Sequence, residues 1–232
     1  MENDVLAASA AQRSIDRSLD ARRAAYAGEV ERLVEAALGT IRETGRLSPK
    51  VSDLVRISGL SNKAFYRHFR SRDELLVAVL DRGIELLAGY LEHRMQGEAD
   101  PRQRILHWLD GMTRQALDPG AAEATRPFVL SRSHLAEGFA EEVRASETRV
   151  TAPLRAALAA ARDAGALPGV DPARDAELLY DLAMGWLQRQ LATGAPAPAD
   201  EAAHFIAFAL AALERDAVVP LSKESQEVSH GT

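Results

Sequence analysis

The stretch VSDLVRISGLSNKAFYRHFRSRDELL, residues 51–76, carries two short helical patterns separated by a glycine. Apolar residues line one face of the first pattern, and Gly59 can adopt the positive φ that closes a tight turn. Ser61 then stands where it can cap a second helix, on which Phe65 and Phe69 lie four residues apart and point inward. Two short helices joined in this way are typical of a helix-turn-helix, which offers its second helix to the DNA major groove.

The outward side of the second helix predicts contact with DNA. Four side chains face away from the two phenylalanines at helical spacing: Asn62, Lys63, Tyr66 and Arg67. An asparagine can pair with adenine and a lysine with guanine, while tyrosine and basic groups hold phosphate oxygens. The free N–H groups near Ser61 add a helix N-terminus that attracts anions.

Charge is unevenly distributed along the chain. The protein carries a formal net charge of −6 at pH 7, but residues 46–72 hold seven Lys or Arg against one acid, Asp53. This segment therefore has a charge of +6 and the rest of the chain has −12. A basic patch on an acidic body predicts polyanion binding that is confined to the patch. Four further arginines, at positions 13, 17, 22 and 23, either form an arm that reaches a minor groove or belong to an extension without function.

Composition favours an all-α protein. Of the 232 residues, 47% are hydrophobic and 5% are aromatic, and alanine and leucine outnumber the β-branched residues. The absence of cysteine excludes disulfides, thiolate metal sites and cysteine nucleophiles. No phosphate-binding glycine loop, nucleophile elbow or metal-ligand spacing is visible, so we expect no enzyme activity, metal or cofactor. Without a long apolar run or a secretory signal, we expect a cytoplasmic protein.

Helix-start signals and chain breaks divide the sequence into four regions. They are a flexible or partly helical extension (1–23), a helix-turn-helix domain (24–72), a larger helical domain (73–218) and a disordered tail (219–232). The apolar period of the first helix begins near Ala24. In the next helix Ser48 is expected to act as the cap and Pro49 to take the first position. Ser71 and Glu74 form a capping box that opens a longer helix, from about residue 72 to 95.

Two later segments contain internal proline. The segment from about 122 to 135 includes Pro127 and is expected to be broken there or to begin there. Residues 137–164 predict one long helix that Pro153 should kink or divide. Two further helices, at about 173–192 and 199–215, complete the chain before the tail.

Residues 51–76 resemble the DNA-binding signature of TetR-family transcriptional regulators. The matching groups are Asp53-Leu54, Gly59-Leu60-Ser61, Tyr66-Arg67-His68-Phe69 and Arg72-Asp73-Glu74-Leu75. The resemblance covers about residues 28–80. It implies an all-α protein with an N-terminal three-helix helix-turn-helix domain and a larger helical domain for ligand binding and dimerisation. It also implies a homodimeric, ligand-responsive repressor on a palindromic double-stranded DNA operator.

The resemblance extends the set of predicted DNA contacts. Lys50 stands where the family has a phosphate-touching threonine, Arg72 replaces a common lysine, and Ala64 presents a methyl group in place of a threonine. The full predicted set is Lys50, Ser61, Asn62, Lys63, Ala64, Tyr66, Arg67, His68 and Arg72. The alternative is a helical interaction protein that has a degenerate helix-turn-helix and no operator. The presence of Tyr66, Lys63 and Arg72 argues against it.

The same architecture predicts two sets of residues in the larger domain. Candidates for a ligand pocket, each of which is otherwise ordinary core, are Trp108, Met112, Phe128, His134, Phe139, Tyr180 and Met184. Candidates for a dimer interface are Leu178, Leu182, Trp186, Phe205, Ile206, Ala209 and Leu213. Because the pocket candidates are mainly apolar, we expect a small hydrophobic or amphipathic effector.

Overall fold

The computed structural model describes residues 10–47, 49–195 and 197–214, except for the side chains of Ala10, Ala11 and His134. These residues form helices joined by short connections, and they contain no strand. The helices are α1 (Ala10–Thr44), α2 (Val51–Ser58), α3 (Asn62–His68), α4 (Arg72–Met95), α5 (Pro101–Leu117), α6 (Pro119–Gly138), α7 (Ala140–Asp163), α8 (Pro172–Ala192) and α9 (Ala199–Leu213). The predicted all-α fold is confirmed. The proposed cap Ser48, the first nine residues of the extension and the tail 219–232 lie outside the described residues.

Helix α1 is longer than the sequence pattern predicted. It begins at Ala10 instead of near Ala24, and side chains from residue 12 to 27 are exposed. This first part is rich in alanine and arginine, which favour helix without any packed face. Gln12 donates to Asp16 at 3.1 Å, one turn further along. Burial begins only in the second half, where Leu33 and Ile41 are fully buried.

Three predicted helix boundaries are corrected by the structure. Helix α2 begins at Val51, so Pro49 precedes it instead of occupying its first position. Helix α6 begins at Pro119 and continues through Pro127. Helix α7 runs unbroken through Pro153. Proline removes one hydrogen bond from a helix interior, but α6 and α7 each continue past their proline.

The chain forms two compact units, each made of two segments. The described residues of the first unit lie within 1–88 and 118–147, and those of the second lie within 89–117 and 148–232. In the first unit α1 packs against α2, α3 and α6. The core of this unit joins fully buried residues from four helices: Leu33, Ile41, Leu54, Phe65 and Leu75. This core holds α3 in place.

The second unit is organised around α5, which packs against α8 and α9. Trp108 on α5 is fully buried, and its indole Nε1 donates to the backbone oxygen of Val150 at 3.1 Å. In the same unit the ring centroids of Trp186 and Phe205 lie 5.4 Å apart and join α8 to α9. Buried aromatic rings therefore join four helices of this unit.

Candidate nucleic-acid interface

A glycine turn sets the angle between α2 and α3. Gly59 has a φ of 68°, in the left-handed region where a residue with a side chain is strained. The N–H groups of Gly59 and Leu60 both donate to the oxygen of Val55, with Leu60 at 3.0 Å. These hydrogen bonds satisfy a carbonyl oxygen that would otherwise lack a donor at the C-terminus of α2. The chain is thereby turned directly into α3.

Serine caps fix the starts of α3 and α4. Ser61 has extended backbone angles, and its Oγ accepts from the N–H of Ala64 at 3.1 Å. Ser71 Oγ accepts from the N–H of Glu74 at 3.1 Å, as the predicted capping box requires. The Glu74 carboxylate accepts a hydrogen bond from the backbone N–H of Arg70 at 2.5 Å. In a standard capping box the donor is the N–H of the cap residue itself, which here is Ser71. Only three residues, 69–71, therefore separate α3 from α4.

The inner face of α3 is held by its apolar residues. Phe65 is 0% exposed and Phe69 is 6% exposed, and their ring centroids lie 5.9 Å apart. Ala64, which belongs to the predicted DNA-contact set, lies on this buried face at 7% exposure. Its methyl group contributes to packing on the protein and does not lie on the exposed face. Anchoring of this kind keeps a seven-residue helix in a fixed orientation.

The outer face of α3 presents polar side chains to solvent. Asn62, Lys63 and Tyr66 are exposed, and Tyr66 has 62% of its surface accessible. Phe65 contacts the Tyr66 ring edge-on at 5.1 Å, which steadies the base of an otherwise exposed side chain. Lys63 has no carboxylate partner among the residues that the structure describes. The face therefore combines an amide, a free ammonium group and a phenol within two turns of helix.

The other end of α3 is tied to α1 by an acid. Glu29 accepts a hydrogen bond from Arg67, and its Oε2 lies 2.6 Å from Nε2 of His68. Hydrogen bonding to His68 first, and to Arg67 second, holds the pKa of the Glu29 carboxyl below its ordinary value. The Arg67 guanidinium also lies over the ring of Tyr26, 5.0 Å from its centroid. The His68 side chain is only 8% exposed, so it faces α1 more than solvent.

Sequence reasoning missed Glu29 and Tyr26. They precede Arg67 and His68 by about forty positions, and no local pattern connects an acid in a long helix to a histidine so far along the chain. The predicted contacts Lys50 and Arg72 are both exposed. Lys50 is the N-cap residue of α2, and Nε of Arg72 lies 3.9 Å from Oδ1 of Asp73. The structure thus leaves these predicted DNA contacts exposed: Lys50, Ser61, Asn62, Lys63, Tyr66 and Arg72.

The predicted ligand-pocket residues are divided between the two compact units. Trp108, Met112, Tyr180 and Met184 belong to the second unit, whereas Phe128, His134 and Phe139 belong to the first. Within the second unit a cleft of about 420 Å³ is lined by other residues: Gly89, Glu92, His93, Met95, Gln96, Arg104 and Pro153. Trp108 and Met112 are buried core, at 0% and 1% exposure. The side chain of His134 lies outside the described residues.

The predicted dimer residues divide between core and surface. Trp186, Phe205, Ala209 and Leu213 are buried within the chain, and Ile206 is half-buried. Leu178 and Leu182 on α8 are 64% and 38% exposed. The structure adds Phe208 on α9, which the sequence reasoning missed and which is 59% exposed. Helix α9 is apolar nearly all round, so its sequence could not indicate which side faces outward.

The fold and this surface define a helix-turn-helix protein with a helical C-terminal part. Residues 33–79 match the family model described as bacterial regulatory proteins, tetR family. Two curated relatives align over 73 residues: the uncharacterized HTH-type regulator YvdT of Bacillus subtilis, at 27% identity, and the HTH-type regulator BetI of Rhizobium meliloti, at 32%. The helix-turn-helix segment of this chain is therefore similar to that of the tetR family of bacterial regulatory proteins.

The comparisons differ in how much of each chain they cover. The two relatives match 32% of this chain, which spans only 38% of YvdT and 36% of BetI. The solved structure of the TetR family regulator PfmR from Thermus thermophilus covers 79% of this chain and all of its own, with a TM-score of 0.56 and 24% identity. AibR, solved with isovaleryl coenzyme A and operator DNA, covers 78% of this chain and 97% of its own, with a TM-score of 0.55 and 16% identity. These two structures share the fold of this chain beyond the matched segment.

Proposed function

We propose that the protein is a DNA-binding transcriptional regulator, most simply a homodimeric repressor that a small effector releases from a palindromic operator. The observation that carries the proposal is the exposed outer face of α3. Asn62, Lys63 and Tyr66 lie on it, while Phe65 and Phe69 fix the helix from behind. An amide and an ammonium group can read base edges in the major groove, and a phenol can donate to a phosphate oxygen.

The surrounding charges support binding to phosphate. Lys50 and Arg72 are exposed at the starts of α2 and α4, on either side of the glycine turn in sequence. Arginine and lysine beside a recognition helix fix its register on the duplex without reading the sequence. Arg67 contributes less, because Glu29 already neutralises its charge. AibR, which has a related fold, was solved with operator DNA, and this supports a role in DNA binding.

The second unit supports association into a homodimer. Leu178, Leu182 and Phe208 are large apolar side chains that remain exposed on α8 and α9, two helices that pack against each other. A second copy would cover them through a two-fold interface, in which the same surface is used by both chains. Two recognition helices would then face successive major grooves, roughly 34–36 Å apart or a multiple of that distance.

Helix α4 provides the connection between effector and DNA. It begins at Arg72, next to the helix-turn-helix, and its last turns supply Glu92, His93 and Met95 to the cleft in the second unit. A ligand that binds better to one position of α4 than to another would shift the separation of the two recognition helices. We expect the effector to be a small hydrophobic or amphipathic molecule, as the sequence predicts.

Substitution of both Lys63 and Tyr66 by alanine tests the proposal. Both side chains are exposed, so the variant should keep its fold and its dimer, and should lose binding to an operator selected from random DNA. Electrophoretic mobility shift and sedimentation measure the two properties separately. A doubly substituted protein that binds the operator as well as the parent contradicts the assignment. If the parent itself selects no sequence and binds no DNA, the alternative of a helical interaction protein is favoured.

A further inference from the structure

The cleft in the second unit has the size of a small-molecule site. Its volume of about 420 Å³ lies within the range of about 300–1,000 Å³ usual for ligand pockets. The C-terminal turns of α4 form one wall, and α5 and α7 contribute Arg104 and Pro153. Met95 in this lining is buried to 3% exposure and supplies an apolar floor. The lining therefore combines polar groups with apolar surface.

Arg104 is the unusual member of this lining. Its Nε is shielded from solvent and has no hydrogen-bond partner, and no carboxylate among the described residues pairs with its guanidinium. Other arginines on α5 do have such partners: Arg102 pairs with Glu214, and Arg114 pairs with Asp110. A shielded guanidinium nitrogen without a partner is costly, and such groups are usually satisfied by an ion, water or ligand. Arg104 is therefore available for an anion.

The charge around Arg104 limits which anion can bind. Glu92 lines the same cleft, and α4 ends at Met95, so the partial negative charge of its C-terminal carbonyls is close by. Both features oppose a multiply charged group such as phosphate. A single carboxylate matches the planar fork of one arginine and can accept two parallel hydrogen bonds from it. His93 and Gln96 offer further hydrogen-bonding groups in the lining.

We propose that this cleft binds a small organic acid, with one carboxylate on Arg104 and an apolar part against Met95 and Pro153. This proposal specifies the chemical class of the small effector. It rests on the proposed function only for the expectation that ligand binding regulates DNA binding. Binding itself depends on the cleft alone. None of the residues that line this cleft was among the predicted ligand-pocket residues.

Calorimetry with octanoate tests the charge requirement. Octanoate should bind the full-length protein, whereas octanamide, of nearly the same shape but neutral, should bind at least about tenfold more weakly. Arg104→Gln should reduce octanoate affinity by a similar factor. Arg102→Gln is the matched control, because Arg102 lies on the same helix but pairs with Glu214 and does not line the cleft. Inorganic phosphate should not bind, and phosphate binding as tight as that of octanoate would overturn the assignment to an organic acid.

A second variant tests the location of the site. A Cβ placed at Gly89 would meet no other atom within 4 Å, and Gly89 lines the cleft, so the larger side chain of Gly89→Leu should occupy part of it. Gly83→Leu is the control, since Gly83 also lies in α4 with open space and is not part of the lining. We expect Gly89→Leu to abolish octanoate binding and Gly83→Leu to retain it, with equal thermal midpoints. Failure of the parent to bind octanoate, or equal binding by the parent and Arg104→Gln, would overturn the inference.

The two proposals fail in different ways. Calorimetry is performed without DNA, so a protein that binds octanoate through Arg104 but never binds an operator supports this inference and contradicts the proposed function. A protein that binds its operator but not octanoate supports the proposed function and contradicts this inference.

Discussion

Replacement of Lys63 by alanine should reduce the salt dependence of DNA binding. Lys63 is the second residue of α3, is exposed, and has no carboxylate partner among the described residues. A cation of this kind that meets a phosphate releases a condensed counterion, and a cation already paired within the protein releases little. The change in the slope of log affinity against log salt therefore measures whether Lys63 contacts the DNA backbone.

The magnitude follows from the number of contacts. Each phosphate contact contributes about 0.9 to the slope on duplex DNA, so loss of Lys63 from both chains of a dimer should lower the slope by about 1.8. Between about 50 and 200 mM salt this corresponds to a factor of about twelve in relative affinity. The variant should therefore be most impaired at low salt and should approach the parent as salt rises. Contact of Lys63 with base edges alone would instead give a loss of affinity that is the same at every salt concentration.

Arg67→Ala is the matched control on the same helix. The Arg67 guanidinium binds Glu29 and lies over the ring of Tyr26, so much of its charge is already neutralised. We expect the slope to change by clearly less than for Lys63→Ala. Fluorescence anisotropy with a labelled operator duplex, repeated across a salt series, gives both slopes. Equal slopes for Lys63→Ala and the parent, or a larger change for Arg67→Ala, would refute the reasoning.

Two further predictions concern pH and association. Because the pKa of Glu29 is lowered in the folded protein, its contribution to stability is present above the unfolded value and is lost as pH falls through the folded value. Urea unfolding should therefore show an acid-dependent loss of stability below about pH 4.5 that is smaller in Glu29→Gln; identical pH profiles would contradict this. Leu178→Glu should shift the protein towards monomer in sedimentation, because Leu178 is 64% exposed on the proposed dimer surface. Leu130→Glu, at another exposed leucine, should leave association unchanged, and the same outcome for Leu178→Glu would rule that surface out.

The helix-turn-helix could be predicted because its signals are local. Gly59, Ser61 and the capping pair Ser71 and Glu74 act within four residues of the boundaries that they set. The spacing of Phe65 then determines which side of α3 is buried. These short-range rules were sufficient for the order of the elements and for most of the exposed face.

The features that the sequence did not predict depend on contacts between residues that are distant in sequence. Ala64 was predicted to face DNA, but burial against the core of the first unit decides its position. The acid at Glu29 reaches His68 only because α1 packs along α3. In the second unit, nothing in the sequence distinguished Arg104 from the paired arginines on α5, since its lack of a partner is a property of the folded chain. Tertiary packing therefore decided which predicted residues became accessible.

Selection of bound sequences from random double-stranded DNA tests the central claim most directly. The account predicts enrichment of an inverted repeat whose half-sites are centred about 10–10.5 base pairs apart, or a multiple of that spacing. The Lys63 and Tyr66 double alanine variant should enrich no such sequence from the same pool. Absence of any enriched repeat with the parent protein, or enrichment of the same repeat by the double variant, would contradict DNA recognition through the outer face of α3.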